Sequence, residues 1–285
     1  MQSFLAYIEI NQWLVPVAFL FSLGFCWVLE AQAPLIAANN QKLRHTGVNS
    51  VFLLTTLCVS APLLALHAVV FLWHPQHQFG LLYFLDAPLW LTLLLSILVL
   101  DFLGQYGVHF LLHRIRWLWR LHMVHHADTN VDASTGFRHH PGDAIARNVA
   151  SLFAVTLMGI PLSHYLVYRL ITIMFAYLTH ANIRVPRSLD RLLRLVFVTP
   201  DLHKFHHHFE RPWTDCNYGN IFSFWDRFFR TLVDGDLDEV SYGLDVLPDK
   251  CDQDLIYQFI LPFDSSIRTD ERVGLFKKRR GPVDE

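Results

Sequence analysis

Charged residues are scarce in this chain of 285 residues, and the shortage is concentrated in its first part. They make up 17% of the sequence, against about 25% in ordinary soluble domains. The charged residues among the first 108 positions are Glu9, Glu30, Lys42, Arg44, Asp86 and Asp101. This composition predicts a membrane protein with a more polar carboxy-terminal part. The net charge of −2 gives no indication of nucleic-acid binding.

Several motifs are also absent, and each absence argues against a class of site. The four cysteines are far apart and form no C-x-x-C pair, so neither a disulfide framework nor a thiolate metal site is indicated. The sequence contains no H-E-x-x-H of a zinc protease and no G-x-G-x-x-G of a dinucleotide-binding turn. The first twelve residues contain no Lys or Arg, which argues against the basic segment of a cleaved signal peptide.

Long apolar runs are what the first part does contain. They cover residues 13–35, 51–73 and 88–112. Each run is long enough to cross a hydrocarbon core of ~30 Å, for which a helix needs about 20 residues. We therefore expect three transmembrane helices, the first two in an amino-terminal membrane domain of residues 1–84.

A fourth apolar region, residues 149–177, is long for one span and is divided by Pro161. Proline inside a helix removes a hydrogen bond and tends to break the helix. The region is therefore interpreted as a helical hairpin with halves near 149–160 and 164–180. One straight, tilted span is the alternative.

The distribution of Lys and Arg over the loops predicts the orientation. Residues 1–12 and 74–86 contain neither, whereas the loop between spans one and two contains Lys42 and Arg44. The stretch after span three is rich in arginine: Arg114, Arg116, Arg120, Arg138 and Arg147. The positive-inside rule then places the residues after span three in the cytoplasm. A hairpin returns the chain to that side, so we expect an integral membrane protein with a cytoplasmic helical cap.

Histidine is concentrated in the middle of the chain, where thirteen of the seventeen histidines lie between positions 109 and 208. His109 and His113 form an H-x-x-x-H pair. Two H-x-x-H-H groups follow, at His122, His125 and His126 and at His203, His206 and His207. Residues three and four apart lie on one face of a helix, so each group is expected to aim its imidazoles in one direction. Imidazole binds iron, zinc, copper and nickel, and so many converging imidazoles predict more than one metal ion.

Span three also carries a polar stripe of Asp101, Gln105, His109 and His113, each four residues apart. Ionisable residues in membrane helices usually face the protein interior and mark a site. We expect Asp101 to lie buried near the metal ligands and to act in catalysis by orienting a ligating imidazole through its other nitrogen. A hydrogen bond that only joins two helices is the alternative.

The remaining histidines divide into candidates and others. His180 ends the predicted hairpin, where the returning helix meets the cytoplasmic group, and is counted as a ligand. His140, in the sequence Phe137-Arg138-His139-His140-Pro141, is a further candidate ligand. His208 is expected to be exposed or to support a ligand. The histidines without an assigned role are His45, His67, His74, His77 and His164.

Together these motifs resemble the fatty acid hydroxylase superfamily, the sterol desaturase group of membrane di-iron enzymes. Residues 199–207 (TPDLHKFHH) resemble the last histidine motif of that family. Residues 217–220 and 225–229 resemble the segment that follows it. Arg230 departs from the glycine that many members have there, which concerns the shape of a loop. The similarity covers residues 85–235, which we take as the catalytic domain, and leaves residues 236–285 as a cytoplasmic tail.

The resemblance implies two non-haem irons that activate dioxygen with two external electrons and oxidise a C–H bond of a lipid, such as a sterol or a fatty acyl chain. Hydroxylation is favoured over desaturation because it needs one hydrogen abstraction. No haem or flavin domain is evident, so a separate donor is expected, such as cytochrome b5 or a ferredoxin. The implied location is the bacterial inner membrane or the endoplasmic reticulum. The implied ligands are His109, His113, His122, His125, His126, His180, His203, His206 and His207, with His140 possible.

A histidine-rich protein that binds metal or haem without oxygenase activity is the competing interpretation. Bis-histidine haem proteins place histidine pairs across helices at membrane depth, whereas these histidines cluster at helix ends. A metal transporter would have polar residues repeated along several spans, and spans one and two have few. A metal-dependent activity that consumes dioxygen separates the classes.

Overall fold

Helices are the main elements of the described part of the chain. The computed structural model describes residues 1–36, 41–209, 213–237, 240–248 and 251–267. The helices are α1 (Gln2–Ile10), α2 (Leu14–Gln32), α3 (Lys42–His77), α4 (Leu89–Asp101), α5 (Val108–Arg114), α6 (Arg116–His126), α7 (Pro141–Met158), α8 (Leu162–His180), α9 (Arg187–Leu193), α10 (Pro200–His206), α11 (Phe224–Phe228) and α12 (Leu255–Ile260). Within the described ranges the β-structure is limited to two isolated bridges. The predicted all-α membrane fold is confirmed.

Three helical segments are long and apolar enough to cross a membrane. They are Leu14–Gln32, Lys42–Phe84 and Leu89–Arg114, and each contains most of a predicted span. The second begins well before the expected residue 51, because the polar residues from Lys42 onward continue the helix of the apolar run. Since a helix rises 1.5 Å per residue, its additional turns carry the chain toward the histidine-rich cap.

The fourth apolar region is a hairpin, as predicted. Helices α7 and α8 are separated at Gly159-Ile160-Pro161, where Gly159 adopts a left-handed conformation with φ of 68°. Asp143, near the start of α7, bonds His122, and His180, at the end of α8, lies against His125. Since both outer ends of the pair meet the same helix α6, the chain turns back, and the single tilted span is wrong.

Replacing Gly159 by alanine is expected to destabilise this turn by about 2 kcal/mol, because the left-handed conformation strains a residue with a Cβ. An added Cβ would also lie 2.5 Å from the carbonyl oxygen of Phe79. A lower thermal unfolding midpoint in detergent is the measurement. Gly24→Ala is the matched control, since a Cβ there meets nothing within 4 Å. Equal midpoints for the two variants would contradict the strain.

The third span changes its helical pitch just before its histidines. Residues Phe102–Gly107 form a π-helical turn between α4 and α5. Such a turn contains more residues than an α-helical one, so it shifts the direction of every side chain that follows. The polar stripe expected on nearly one side is therefore divided. Asp101 faces residues 221–225, and Gln105 faces Arg147, which donates to it at 3.1 Å.

The described part of the carboxy-terminal segment packs against the histidine-bearing α6. Leu261 and Ile267 join a buried cluster with Trp119 and Met123. Arg120 donates from Nε to the carbonyl oxygen of Pro262 at 2.7 Å. Residues 255–267 therefore cover the outer face of α6. The basic run of residues 277–280 lies outside the described residues.

Candidate metal centre

Five histidines from three helices converge in one buried group. They are His109 and His113 of α5, His122 and His126 of α6, and His206 of α10. One ring nitrogen of each lies within 4.8 Å of one ring nitrogen of every other. We call these residues the five-histidine group.

A second group contains four histidines from the end of α6, the end of α8, and α10. Its members are His125, His180, His203 and His207, again within 4.8 Å of one another and buried. The two groups are adjacent, since the rings of His126 and His207 have centroids 4.5 Å apart. We call this set the four-histidine group. The arrangement offers two neighbouring places for a metal ion.

The two H-x-x-H-H motifs are divided between the groups, which corrects the expectation that each aims in one direction. The first and last histidines, four residues apart, stay together: His122 with His126, and His203 with His207. The middle histidines, His125 and His206, join the other group. An α-helix turns about 100° per residue. The histidine three positions after the first therefore lies about 60° to one side of it, and the histidine four positions after the first lies about 40° to the other side.

Hydrogen bonds from Nδ1 hold six of these rings in a defined orientation, and that of His113 is made with the carboxylate of Asp215 at 3.2 Å. His109 Nδ1 donates to the carbonyl oxygen of Tyr218 at 2.9 Å, and His206 Nδ1 donates to that of Cys216 at 2.6 Å. His125 and His180 donate in the same way to the carbonyl oxygens of residues 138 and 176. His122 Nδ1 lies 2.7 Å from a carboxylate oxygen. With Nδ1 protonated, each neutral ring has a free electron pair on Nε2 for a metal.

These free electron pairs face one another at short distances. Nε2 of His109 lies 3.1 Å from Nε2 of His122, and Nε2 of His125 lies 3.1 Å from Nε2 of His180. Two such nitrogens cannot bond each other when both rings carry their proton on Nδ1, whereas a cation between them binds both. Buried ring nitrogens of His126, His206 and His207 also have no hydrogen-bond partner among the described residues. The residues therefore fit bound metal ions.

Burial keeps the imidazoles neutral. It lowers the pKa of His122 to about 3, even though a neighbouring carboxylate acts in the opposite direction. It also lowers the pKa of His126, His206 and His207 well below the ordinary value, and the neighbouring histidines add to the effect. Metal ions bind the neutral ring, so no proton must leave these ligands near pH 7.

Asp143 is a functional residue that sequence reasoning missed. Its buried carboxylate accepts from His122 Nδ1 at 2.7 Å and from Arg147 Nε at 2.8 Å, and it lies 3.1 Å from His139 Nδ1. A carboxylate on the outer nitrogen of a ligating histidine fixes the ring and makes it a stronger ligand. The available signal was an acid three residues after the candidate His140, in the first turn of a helix.

An apolar cavity of about 560 Å³ opens onto the histidines. At one end its walls include His109, His125, His180 and His203. The rest is lined mainly by side chains of α2, α3, α7 and α8, such as Phe19, Leu57 and Ile173. Cavities of about 300–1,000 Å³ with apolar walls and a few polar groups are typical of sites for small ligands.

The sequence matches the profile of the fatty acid hydroxylase family over residues 93–231, the region that contains all nine grouped histidines. The histidine-bearing part of the chain, residues 93–231, thus matches the fatty acid hydroxylase family. This confirms the resemblance seen in the histidine motifs. No solved structure matches the chain significantly.

Curated proteins that resemble this chain are named as hydroxylases and monooxygenases. Ornithine lipid hydroxylase OlsE of Rhizobium tropici is 29% identical over 51% of this chain and 43% of its own length. Alkylglycerol monooxygenase of Caenorhabditis elegans is 31% identical, over 56% and 30% respectively. Human cholesterol 25-hydroxylase is 30% identical, over 52% and 54%. The alignments thus cover between about a third and about half of these relatives.

Asp101 is buried, as the polar stripe in span three predicted, but its partners differ from the expected imidazole. The carboxylate accepts from Trp225 Nε1 at 3.0 Å and from the backbone amides of Ile221 and Phe222 at 3.2 and 3.4 Å. It therefore fixes the segment that follows Tyr218. Tyr218, which supplies the carbonyl acceptor for His109, lies in the preceding part of the loop, and Asp101 itself bonds no ligand ring.

Asp226 supports the same segment and was also missed. Its carboxylate accepts from the amides of Tyr218 and Gly219, both at 2.8 Å, and from the hydroxyl of Thr231 at 2.7 Å. Burial raises the pKa of Asp226 to about 6 despite these donors. The sequence Trp225-Asp226-Arg227 was noticed as part of the resemblance, but no spacing rule connects Asp226 to His109.

His140 lies apart from both histidine groups. It precedes α7, and its Nδ1 accepts from the amide of Gly142 at 3.1 Å. The neighbouring His139 is nearer to the histidine groups. It lies beside Asp143, and its ring centroid is 4.4 Å from that of His125. His208 is buried rather than exposed, and its ring packs beside Phe205.

His45, to which no role was assigned, belongs to a buried network beside the four-histidine group. Its Nε2 lies 2.9 Å from both carboxylate oxygens of Asp128. Asn49, one turn along α3, accepts from Arg138 Nη1 at 3.0 Å, and the Arg138 backbone carbonyl accepts from His125. A single histidine in the polar loop between predicted spans one and two gave no indication of this arrangement.

Thr199 is the N-cap of α10. Its hydroxyl accepts from the amide of Leu202, and Pro200 occupies the first helical position. This start fixes the phase of the helix that carries His203 and His206, which His207 follows directly.

Proposed function

We propose that this chain is a membrane-bound lipid hydroxylase that uses dioxygen and two irons held by its nine grouped histidines. The observation that carries the proposal is the pair of adjacent histidine groups at the end of an apolar cavity. Metal ligands alone would fit a storage or sensor protein. Ligands that border a lipid-sized apolar space fit oxidation of a lipid.

The five-histidine group would hold one iron, with His109, His113, His122, His126 and His206 as ligands. The four-histidine group would hold the other, with His125, His180, His203 and His207. When bound, two non-haem irons supply the activation of dioxygen by two external electrons, for insertion of oxygen into a C–H bond. His140 is left out of this proposed ligand set because it lies outside both groups.

The chain itself would supply position and exclusion of water. The carbonyl oxygens of Tyr218 and Cys216 accept hydrogen bonds from His109 and His206 and hold these two rings before metal binds. Apolar side chains such as Phe19 and Leu57 would hold the hydrocarbon of the lipid. A lipid held there brings its chain to the histidines without crossing water, which shields the oxidation.

Hydroxylation is favoured over desaturation because the similar proteins are named hydroxylases and monooxygenases. We propose that the histidine site faces the cytoplasm, in the bacterial inner membrane or the endoplasmic reticulum, on the basis of the arginines after span three. A separate donor, such as cytochrome b5 or a ferredoxin, would then deliver electrons from that side.

Metal analysis of the chain purified in mild detergent tests the proposal. We expect about two irons per chain, as two separate groups of imidazole ligands imply, and a coupled di-ferric Mössbauer signal after growth on iron-57. Removal of iron by a chelator should abolish dioxygen-dependent oxidation of lipid, and added iron should restore it. Haem absorbance, or zinc that iron cannot replace to give activity, would contradict the proposal and favour a binding protein without oxygenase activity.

A further inference from the structure

One face of α8 lines the cavity over most of the length of the helix. The lining residues include Tyr165, Arg169, Ile173, Ala176 and His180. Arg169 and His180 are eleven residues apart, which is about three turns, so they point in nearly the same direction. At 1.5 Å per residue their Cα atoms lie about 16 Å apart along the axis. The cavity thus has a guanidinium far along its length from the metal ligands.

The charges that line the cavity are unbalanced. Two arginines, Arg147 and Arg169, contribute to the walls, and the described lining contains no carboxylate. Arg147 is paired, because Asp143 lies 2.8 Å from its Nε and Gln105 lies 3.1 Å from its Nη1. Arg169 forms no hydrogen bond, ion pair or cation–π contact with any residue that the structure describes.

Some uncharged polar groups of the walls bond one another. Asn148 donates to the hydroxyl of Ser60 at 3.1 Å, and Asn220 donates to the hydroxyl of Thr172 at 2.6 Å. None of these four side chains bonds the guanidinium of Arg169. A half-buried arginine on a helix that packs against α2 and α4 is costly without a partner. An anion from outside the chain would compensate that charge.

We infer that Arg169 binds the anionic group, a carboxylate or a phosphate monoester, of a single-chain amphiphile whose hydrocarbon chain extends along α8 to the histidine groups. Guanidinium recognises both anions through paired hydrogen bonds. The binding site itself does not require the oxygenase activity. Only the conclusion that the bound amphiphile is the substrate rests on the proposed function.

The dimensions of the cavity agree with one chain. A volume of about 560 Å³ lies in the range that holds one small ligand, and a diacyl lipid would not be enclosed. Each C–C bond of ~1.5 Å advances an extended chain by roughly 1.25 Å, so about 16 Å corresponds to on the order of a dozen carbons. The carbon presented to the histidines would then be distant from the anionic group.

Equilibrium binding to the full chain in detergent tests the inference, with radiolabelled hexadecanoate, hexadecyl phosphate and hexadecan-1-ol as probes. The three share one hydrocarbon chain and differ in the head group. We expect the wild type to bind at least one of the anions about tenfold more tightly than the alcohol, as one charge-assisted contact allows. Which anion binds more tightly identifies the head group.

Substitutions of Arg169 assign the preference to this residue. Arg169→Gln should weaken anion binding about tenfold and change alcohol binding less than about twofold, and Arg169→Lys should retain most of the preference. Arg191→Gln is the matched control, an exposed arginine outside the cavity. Equal affinity of the wild type for the three probes would overturn the inference, as would an unchanged preference in Arg169→Gln. The wild-type comparison needs no variant to fold.

Failure of this inference can be distinguished from failure of the proposed function. An iron-containing enzyme that oxidises a lipid but binds the three probes equally would overturn the anion site alone. Selective anion binding by a chain that holds no iron would support the site and overturn the oxygenase. If both hold, the oxidised carbon of bound hexadecanoate should lie in the distal half of the chain, as mass spectrometry of the product would reveal.

Discussion

Replacement of His122, His125 or His206 by alanine is expected to lower lipid oxidation by about 10³-fold or more, because each variant removes a ligand of an iron on which the proposed chemistry depends. Bound iron should fall below the wild-type content. His122 and His206 belong to the five-histidine group and His125 to the four-histidine group, so the variants test both sites. Turnover and iron per chain are the measurements.

The control for these variants is His77→Ala. His77 is exposed at the end of α3 and stacks on Trp73, outside the histidine groups. It should leave turnover and iron content unchanged. All variants should insert into the membrane in wild-type amounts, because the apolar runs that drive insertion are intact. Full turnover in the three ligand variants would refute the ligand assignment.

The second large effect is expected at Asp143, which binds no metal in this proposal but supports a ligand. Asp143→Asn should weaken iron binding by about 10–100-fold, since loss of a carboxylate on the outer nitrogen of a ligating histidine has an effect of that size. The carboxylate contacts His122, His139 and Arg147. The side-chain amide of the variant would have one acceptor oxygen and no negative charge, so it could not accept from all three. Competition with a calibrated chelator measures the change.

Asp101→Asn is the matched control, because Asp101 is an equally buried carboxylate with no bond to a ligand ring. It faces three donors, and an amide in its place leaves at least one donor poorly satisfied, at a cost of about 1–3 kcal/mol. We expect a lower unfolding midpoint with iron affinity close to the wild type. A larger loss of iron affinity in Asp101→Asn than in Asp143→Asn would reverse the roles assigned to the two residues.

The architecture could be predicted from the sequence because it depends on local properties. Runs of about 20 apolar residues must form helices in a bilayer, where every backbone group needs an internal partner. Proline in a helix interior removes a hydrogen bond, and although α3 continues through Pro62, Pro161 correctly indicated the hairpin between α7 and α8. Nine of the ten predicted ligands converge in the structure, and their spacing of three and four residues made them recognisable.

The sequence alone did not determine how the histidines divide, nor which groups support them. Side chains three residues apart lie on one broad face of a helix, and only the neighbouring helices decide which metal position each one meets. The π-helical turn at residues 102–107 likewise rotated the histidines of α5 relative to Asp101, which meets residues 221–225 instead of the ligands. The hydrogen-bond pattern of a π-helical turn depends on packing, and no periodicity in the sequence predicts it.

The roles of Asp143, Asp226 and Arg169 also depend on the tertiary structure. A carboxylate or guanidinium has its chemical character in the sequence, but its role depends on the groups that surround it after folding. Asp143 meets His122 across 21 positions, and Asp226 reaches His109 only through the backbone of Tyr218. The sequence determined the helices, the ligand types and the membrane setting, because these follow from local periodicity and transfer energies. The tertiary structure decided the partners, because hydrogen bonds and ion pairs act over a few ångströms between residues that are distant in the chain.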